Sequence, residues 1–276
     1  MQSSDGMTQL GFPKPGKALM GLMIAVGAIW LTFAVGLNWG GASNSVFVAL
    51  LGSTDAILHG QVWRLFTAPL LHHPYGSEGV WHMLGAVAGL YFLGARLEEQ
   101  WGARRFFRFI ALTSVGAFLL QMLAQLVLPA SVSARLVGEY WYGMTPAIEA
   151  ISIAWALTFR GQQVRLFMVL PVTSSMLIVF IIGLSVLNVI AAAEMPPAGL
   201  LAPFGGMFLG WLLGGGSPSP LRKAWLKLRL AQLDGEARRE GSRRRARRNP
   251  GGLRVIPGGR ADDDDDGKGP DGRWLN

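Results

Sequence analysis

The chain has 276 residues, of which 51% are apolar and only 15% charged, and it carries a formal net charge of +8. It contains no cysteine, which excludes disulfide frameworks, thiolate metal sites and a cysteine nucleophile. Stretches almost free of charge exclude an ordinary soluble fold, because a helix crossing the hydrocarbon core needs roughly 20 apolar residues.

The N-terminal arm, residues 1–17, places Lys14 and Lys17 ahead of an apolar run from Ala18 to Leu37. That run is too long for the apolar region of a signal peptide and no small-residue cleavage site follows it, so it is expected to be a retained first span. Five further apolar segments follow: Val80–Ala95, Phe109–Pro129, Tyr140–Phe159, Leu166–Ala193 and Ala198–Leu213. The second is short and the fifth long, which tilt accommodates. Strand-like alternation is absent, against a β-barrel, and helices are then the spanning form that satisfies its own backbone. The expected fold is all-α, a bundle of six transmembrane helices over residues 18–216.

The first connection, Asn38–Gly79, is far longer than a turn and holds Trp63, Arg64, His72 and His73. Its moderate hydrophobicity predicts a segment lying at the membrane interface. Of the 25 basic residues, only Arg64 and Arg135 fall on the first, third or fifth connection. The positive-inside rule then predicts both termini in the cytoplasm, with the bacterial inner membrane as the expected location. In the tail, residues 217–276, Leu221, Trp225 and Leu228 recur at helical spacing among Arg222, Lys223, Lys227 and Arg229, which suits a short amphipathic helix on anionic lipid headgroups. The basic run Arg238–Arg248 and the acidic run Asp262–Asp266 predict disorder. Beside a membrane span, the basic run reads as topology retention and lipid attraction, and no nucleic-acid partner is expected.

Several motifs fall in the order of a known family. Gly60-Gln61-Val62-Trp63-Arg64-Leu65-Phe66-Thr67 resembles the G-x-x-W-R-x-x-T stretch in the first loop of rhomboids and derlins. His82 resembles the His of the rhomboid H-x-x-x-N motif, and Gly94-Ala95-Arg96-Leu97-Glu98 with Trp101-Gly102 the G-x-x-L-E-x-x-x-G sequence that ends the same helix. Gly143-Met144-Thr145-Pro146-Ala147 stands where the family has G-x-S-G-A, and Ala202-Pro203-Phe204-Gly205-Gly206 with Gly210 resembles A-H-x-G-G-x-x-x-G. The resemblance covers roughly Lys17 to Gly214 and implies the six-helix rhomboid fold. Without the family, Gly206, Gly210 and Gly214 still make sense as a flat packing ridge, with Gly143 and Ala147 as candidates for the facing groove.

A rhomboid protease, the resemblance implies, uses a Ser on the fourth helix, a His base on the sixth and an Asn on the second that helps stabilise the oxyanion. This sequence departs at all three: Thr145 holds the Ser position, Pro203 the His position and Ala86 the Asn position, and Pro146 replaces the Gly after the nucleophile. All four histidines precede the third helix, so shifting the alignment recovers no base on the sixth. A threonine hydroxyl without a base is a poor nucleophile at neutral pH, and no catalytic residues are expected. Glu149 stands one turn after Thr145 in an apolar helix, and an intramembrane carboxyl is by default a functional hypothesis. It is either one half of an unconventional Thr145/Glu149 site or, as the favoured reading has it, a neutral or internally paired group that ties helices together. His82 is read as structural, capping the second helix or bonding within the loop, with substrate contact as the alternative. Trp63 and Arg64 are read as an interfacial anchor and a loop brace. His72, His73 and His82 lack the carboxylate spacing of a metal site, so neither metal nor cofactor is expected.

The function expected is that of a catalytically inactive rhomboid-like pseudoprotease that binds transmembrane client helices, with Glu149, His82 and Thr145 as candidate contacts. The alternative is an intramembrane serine-type endopeptidase using Thr145 and Glu149. A transporter would show repeats in its two halves, and none is visible. Membrane lipids are the remaining expected partner, and oligomeric state is left open.

Overall fold

The computed structural model describes residues 14–161, 163–166, 170–191, 195–214 and 220–248. Each apolar segment of the sequence contains a helix. The first, α1 (Lys17–Asn38), has its N-terminus held from outside. The Glu98 carboxylate accepts the Gly16 amide at 2.9 Å and the Leu19 amide at 3.4 Å. A carboxylate there satisfies donors that a helix cannot satisfy itself and complements its dipole.

The first connection folds into three short helices, α2 (Ser45–Leu50), α3 (Thr54–Leu58) and α4 (Arg64–Thr67), and a 3₁₀ turn, Ala68–Leu70. Next comes α5 (Gly76–Gly89), which passes through one π turn (Leu90–Gly94) into α6 (Ala95–Trp101), a continuous stretch of 26 residues. Gly102, at φ 77°, separates it from α7 (Ala103–Val127), and α8 (Ala130–Leu136) covers the following connection. The remaining bundle helices are α9 (Thr145–Thr158), α10 (Ser174–Ala191) and α11 (Ala202–Gly214).

Among the described residues, four helices are long and apolar enough to cross a membrane: Lys17–Asn38, Gly76–Trp101, Ala103–Val127 and Ser174–Ala191. The 14-residue α9 and 13-residue α11 fall short of that length. At 1.5 Å per residue, α9 covers roughly 21 Å. It lies at the centre of the bundle: Ala147, Ala150, Ile151 and Ala154 are fully buried, together with Trp155. A helix wrapped by protein has no need to match the lipid thickness along its own length.

Two expectations about secondary structure are corrected. The run Leu166–Ala193 is not one long helix: Gln163–Leu166 (β1) and Leu170–Thr173 (β2) form an antiparallel hairpin, and α10 begins only at Ser174. Pro171 lacks the amide that a helix interior requires, and Val164, Val172 and Thr173 favour extended backbone. The tail, expected to be largely disordered, is helical from Pro220 to Arg248 (α12). Its Leu, Ala, Gln, Glu and Arg residues are strong helix formers, and that propensity outweighs the repulsion of the basic run. The chain divides into two units with the boundary after Trp225, inside α12. The acidic run Asp262–Asp266 and residues 1–13 of the arm lie outside the described residues.

The glycine ridge determines how α11 meets α9. A Cβ on Gly210 would lie 2.6 Å from the Ala150 carbonyl oxygen and 2.7 Å from its Cα. Gly206 similarly abuts the Pro146 carbonyl, and Gly214 the Ala154 methyl. The facing groove is therefore Pro146, Ala150 and Ala154, every fourth residue of α9, where small side chains let the two backbones touch. The expected groove of Gly143 and Ala147 is not the one used: Gly143 precedes the helix at φ 108° and faces His82 and Leu71.

Candidate functional site

The connection before α9 is a strap fixed at three successive residues. Trp141 pairs with Gly52 through both backbone groups, at 2.9 Å each, while the Tyr142 amide donates to Pro197 and the Gly143 amide to Ala68. Gly143 is needed here twice over, because its φ is left-handed and a Cβ would lie 2.9 Å from His82 Cε1. The strap delivers Thr145 to the first turn of α9 with Pro146 behind it, a proline position that a helix start tolerates.

Thr145 is half-buried and its hydroxyl lies 3.4 Å from His82 Nε2. His82 thus neither caps α5, whose N-cap is Tyr75, nor bonds within its own loop. Its ring also lies against His72, with centroids 5.0 Å apart. Both His72 nitrogens and His82 Nδ1 are buried without a hydrogen-bond partner of good geometry among the described residues. Burial pushes His72 down to about 4, helped by neighbouring His82, while the Leu70 backbone partly opposes the shift. The imidazole is therefore neutral near pH 7. Next in line, His73 Nδ1 pairs with the Tyr142 hydroxyl at 2.9 Å, and its backbone carbonyl accepts from Trp30 Nε1.

Glu149, half-buried one turn along α9, turns away from this cluster toward α10, where the Ser185 hydroxyl donates to its Oε1 at 3.3 Å. The hydrogen bonds of Thr145 and Glu149 thus run to different helices, and the link that the alternative Thr145/Glu149 site requires is not made among the described residues. Ala86, one turn after His82, is buried and offers no polar group. Pro203 is half-buried in the first turn of α11, one turn before Gly206, and can neither take nor give a proton.

The loop residues have firm structural roles. Arg64 is 7% exposed, and its guanidinium donates to the carbonyls of Val48 and Leu51 at 2.7 and 2.6 Å and to Gln61 at 2.7 Å. It thereby closes the C-terminal end of α2, where carbonyls have no helical partner. The Thr67 hydroxyl adds a bond to Leu50. Trp63 stays half-exposed, with its indole donating to Ala49 at 3.3 Å. Sequence reasoning missed the capping role of Glu98, although its position in the G-x-x-L-E stretch had singled it out. It also missed the contact of His82 with Thr145, for which no sequence spacing exists. Among the described residues, no group of three or more His, Asp or Glu could hold a metal ion.

Taken together, the apolar helices, the α9–α11 glycine interface and the braced W-R loop define an integral membrane protein of rhomboid type. Residues 19–213 match the model of the family described as eukaryotic integral membrane protein (DUF1751), and the chain belongs to that family. It is also similar to two proteins of Arabidopsis thaliana. RHOMBOID-like protein 7 is 29% identical over 154 residues, 56% of this chain and 42% of the relative. RHOMBOID-like protein 1 is 27% identical over 174 residues, 62% of this chain and 39% of the relative. The matched region thus spans about two fifths of these relatives' length. The family description and both relatives are eukaryotic, which stands against the bacterial inner membrane expected from the sequence.

Proposed function

We propose that the protein is a six-span rhomboid-like scaffold with both termini in the cytoplasm, that it does not carry out conventional Ser–His proteolysis, and that it binds transmembrane client helices. The observation that carries this reading is the start of α11: Pro203 occupies the turn where the family pattern has its base, directly before the glycine ridge that presses on α9. Acyl transfer needs a nucleophile, a base and donors for the developing charge. Ala86 supplies no such donor, and Pro146 removes a backbone amide beside Thr145. What is left, on this reading, is a set of three half-buried polar side chains, Thr145, Glu149 and His82, as client contacts. The basic α12 is the part that would attract anionic lipid or a cytoplasmic partner.

One observation favours a second reading, a protease in which Thr145 is activated from α5. His82 Nε2 is within reach of the Thr145 hydroxyl, whereas Glu149 is engaged by Ser185. The enzyme alternative therefore rests on a Thr145–His82 pair, with Glu149 outside it. The test is cleavage of a generic rhomboid transmembrane substrate in proteoliposomes, beside an active rhomboid and the variants Thr145→Ala, His82→Ala and Glu149→Gln. No cleavage by the wild type supports the scaffold. Cleavage lost in Thr145→Ala and His82→Ala but kept in Glu149→Gln establishes the enzyme.

A further inference from the structure

Glu149 is a carboxyl that the bundle does not fully use. It is half-buried, and its hydrogen bond among the described residues is the one from Ser185. At 3.3 Å that bond is longer than the 2.7–2.8 Å at which O–H···O bonds cluster. It is also a hydroxyl bond, without the second charge and fixed geometry that an Arg or Lys donor brings to a carboxylate. The helix that supplies it keeps much of its surface outside the bundle. Of α10, only Ser174, Leu177, Ile181 and Ser185 are buried, while Met176, Val179, Leu187 and Ile190 are more than half exposed. On α9, Thr145 and Glu149 share one face, about 6 Å apart along the axis, with His82 of α5 beside the first and Ser185 of α10 beside the second. The adjoining face of α9, with Pro146, Ala150 and Ala154, is sealed by the glycines of α11. The polar stripe is thus flanked by α5 at Thr145 and by α10 at Glu149, and both of its residues keep part of their surface exposed.

We propose that this stripe selects client helices bearing a basic side chain, Lys or Arg, at the depth of Glu149, and that the client's cation displaces the Ser185 hydroxyl from the carboxylate. The inference rests on the client-binding reading and names the class of client. Complementarity of charge fixes the occupant: a lone cation within a span is costly, and so is a lone carboxyl, and each relieves the other. Ser185 then acts as a placeholder that keeps Glu149 satisfied until a stronger donor arrives.

The test uses the full-length protein in liposomes with a synthetic Leu/Ala transmembrane peptide that carries a photocrosslinker and either one Lys or a Leu about two turns from its outer end. Interhelical hydrogen bonds in membranes favour the Lys peptide by about threefold to twentyfold. Glu149→Gln keeps an acceptor for Ser185, so the fold is retained, and should bring the preference to within about twofold. Ser185→Ala removes the competitor and should raise capture of the Lys peptide. If Glu149 is only a clamp between α9 and α10, Ser185→Ala lowers capture together with thermal stability, and the proposal is overturned. It is also overturned if both peptides are captured equally and Glu149→Gln changes nothing, although client binding then survives. Capture of neither peptide defeats the client-binding reading itself.

Discussion

The Gly210–Ala150 contact allows a direct measurement of how much the α9–α11 interface contributes. In Gly210→Ala the new methyl would lie 2.6 Å from the Ala150 carbonyl oxygen, and ordinary contact begins at 3.4 Å. Backbone must therefore move by about 0.8 Å, because neither atom met is the end of a flexible side chain. Inserting one carbon into a packed core costs about 1–3 kcal/mol, and here the shift also strains the neighbouring Gly206 and Gly214 contacts. Replacing Gly by Ala separately favours the helical state by about 0.5–1 kcal/mol. That gain is cancelled by comparison with Gly85→Ala in α5, where an added Cβ meets nothing within 4 Å. In detergent micelles, unfolding by heat or SDS should place Gly210→Ala below Gly85→Ala by about 1–3 kcal/mol. Equal stability of the two variants would refute the close-packing argument and, with it, the role given to the ridge.

Arg64→Lys should destabilise the first connection by about 2 kcal/mol, because an ammonium cannot replace a fork that reaches Val48, Leu51 and Gln61 together; faster proteolysis between α2 and α4 is the readout. Glu98→Gln should cost about 1 kcal/mol, since an amide places a donor against one of the α1 amides that the carboxylate accepts; the loss is read as easier cleavage near Gly16. For His72 the folded value of about 4 lies below the ordinary 6.5, so unfolding takes up a proton between them. Stability is then complete above about pH 6.5 and falls as the pH drops toward 4, by about 2 kcal/mol at pH 5. A titration of stability in which His72→Leu keeps the wild-type slope would reject this assignment.

The helices were legible because lipid permits so few alternatives: charge-free runs set the number of apolar helices, and their satisfied backbones set the type. Boundaries failed where a local cause outweighed hydropathy, as at Pro171, whose missing amide turned the start of a supposed span into a hairpin. In the tail, composition read as charge pointed to disorder, while the same residues read as helix formers pointed to α12. The glycine ridge was recognised because a period of four is visible in a single segment. Its partner was misassigned because Gly143 also fitted the small-residue rule, and only its left-handed φ and the adjacent His82 reveal a different task.

The candidate site shows the limit most clearly. Residues four apart share a helix face, which makes a Thr145/Glu149 site the alternative to the favoured reading of Glu149 as a neutral or internally paired group. Sharing a face does not decide partners, because each residue also meets whatever neighbouring helix lies beside it. His82 is 63 positions from Thr145 and Ser185 is 36 from Glu149, separations that no periodicity connects. With no His on the sixth apolar segment, the sequence offers Glu149 as the one candidate base, yet α5 brings an imidazole to 3.4 Å of the hydroxyl. A missing residue in a sequence rules out one route to a chemistry, and only the packing of the other helices shows whether a second route exists. For that reason His82→Ala, more than any change at Glu149, separates scaffold from enzyme: loss of stability alone fits a half-buried ring packed on His72 and Gly143, whereas loss of cleavage with the fold intact requires that ring to handle a proton.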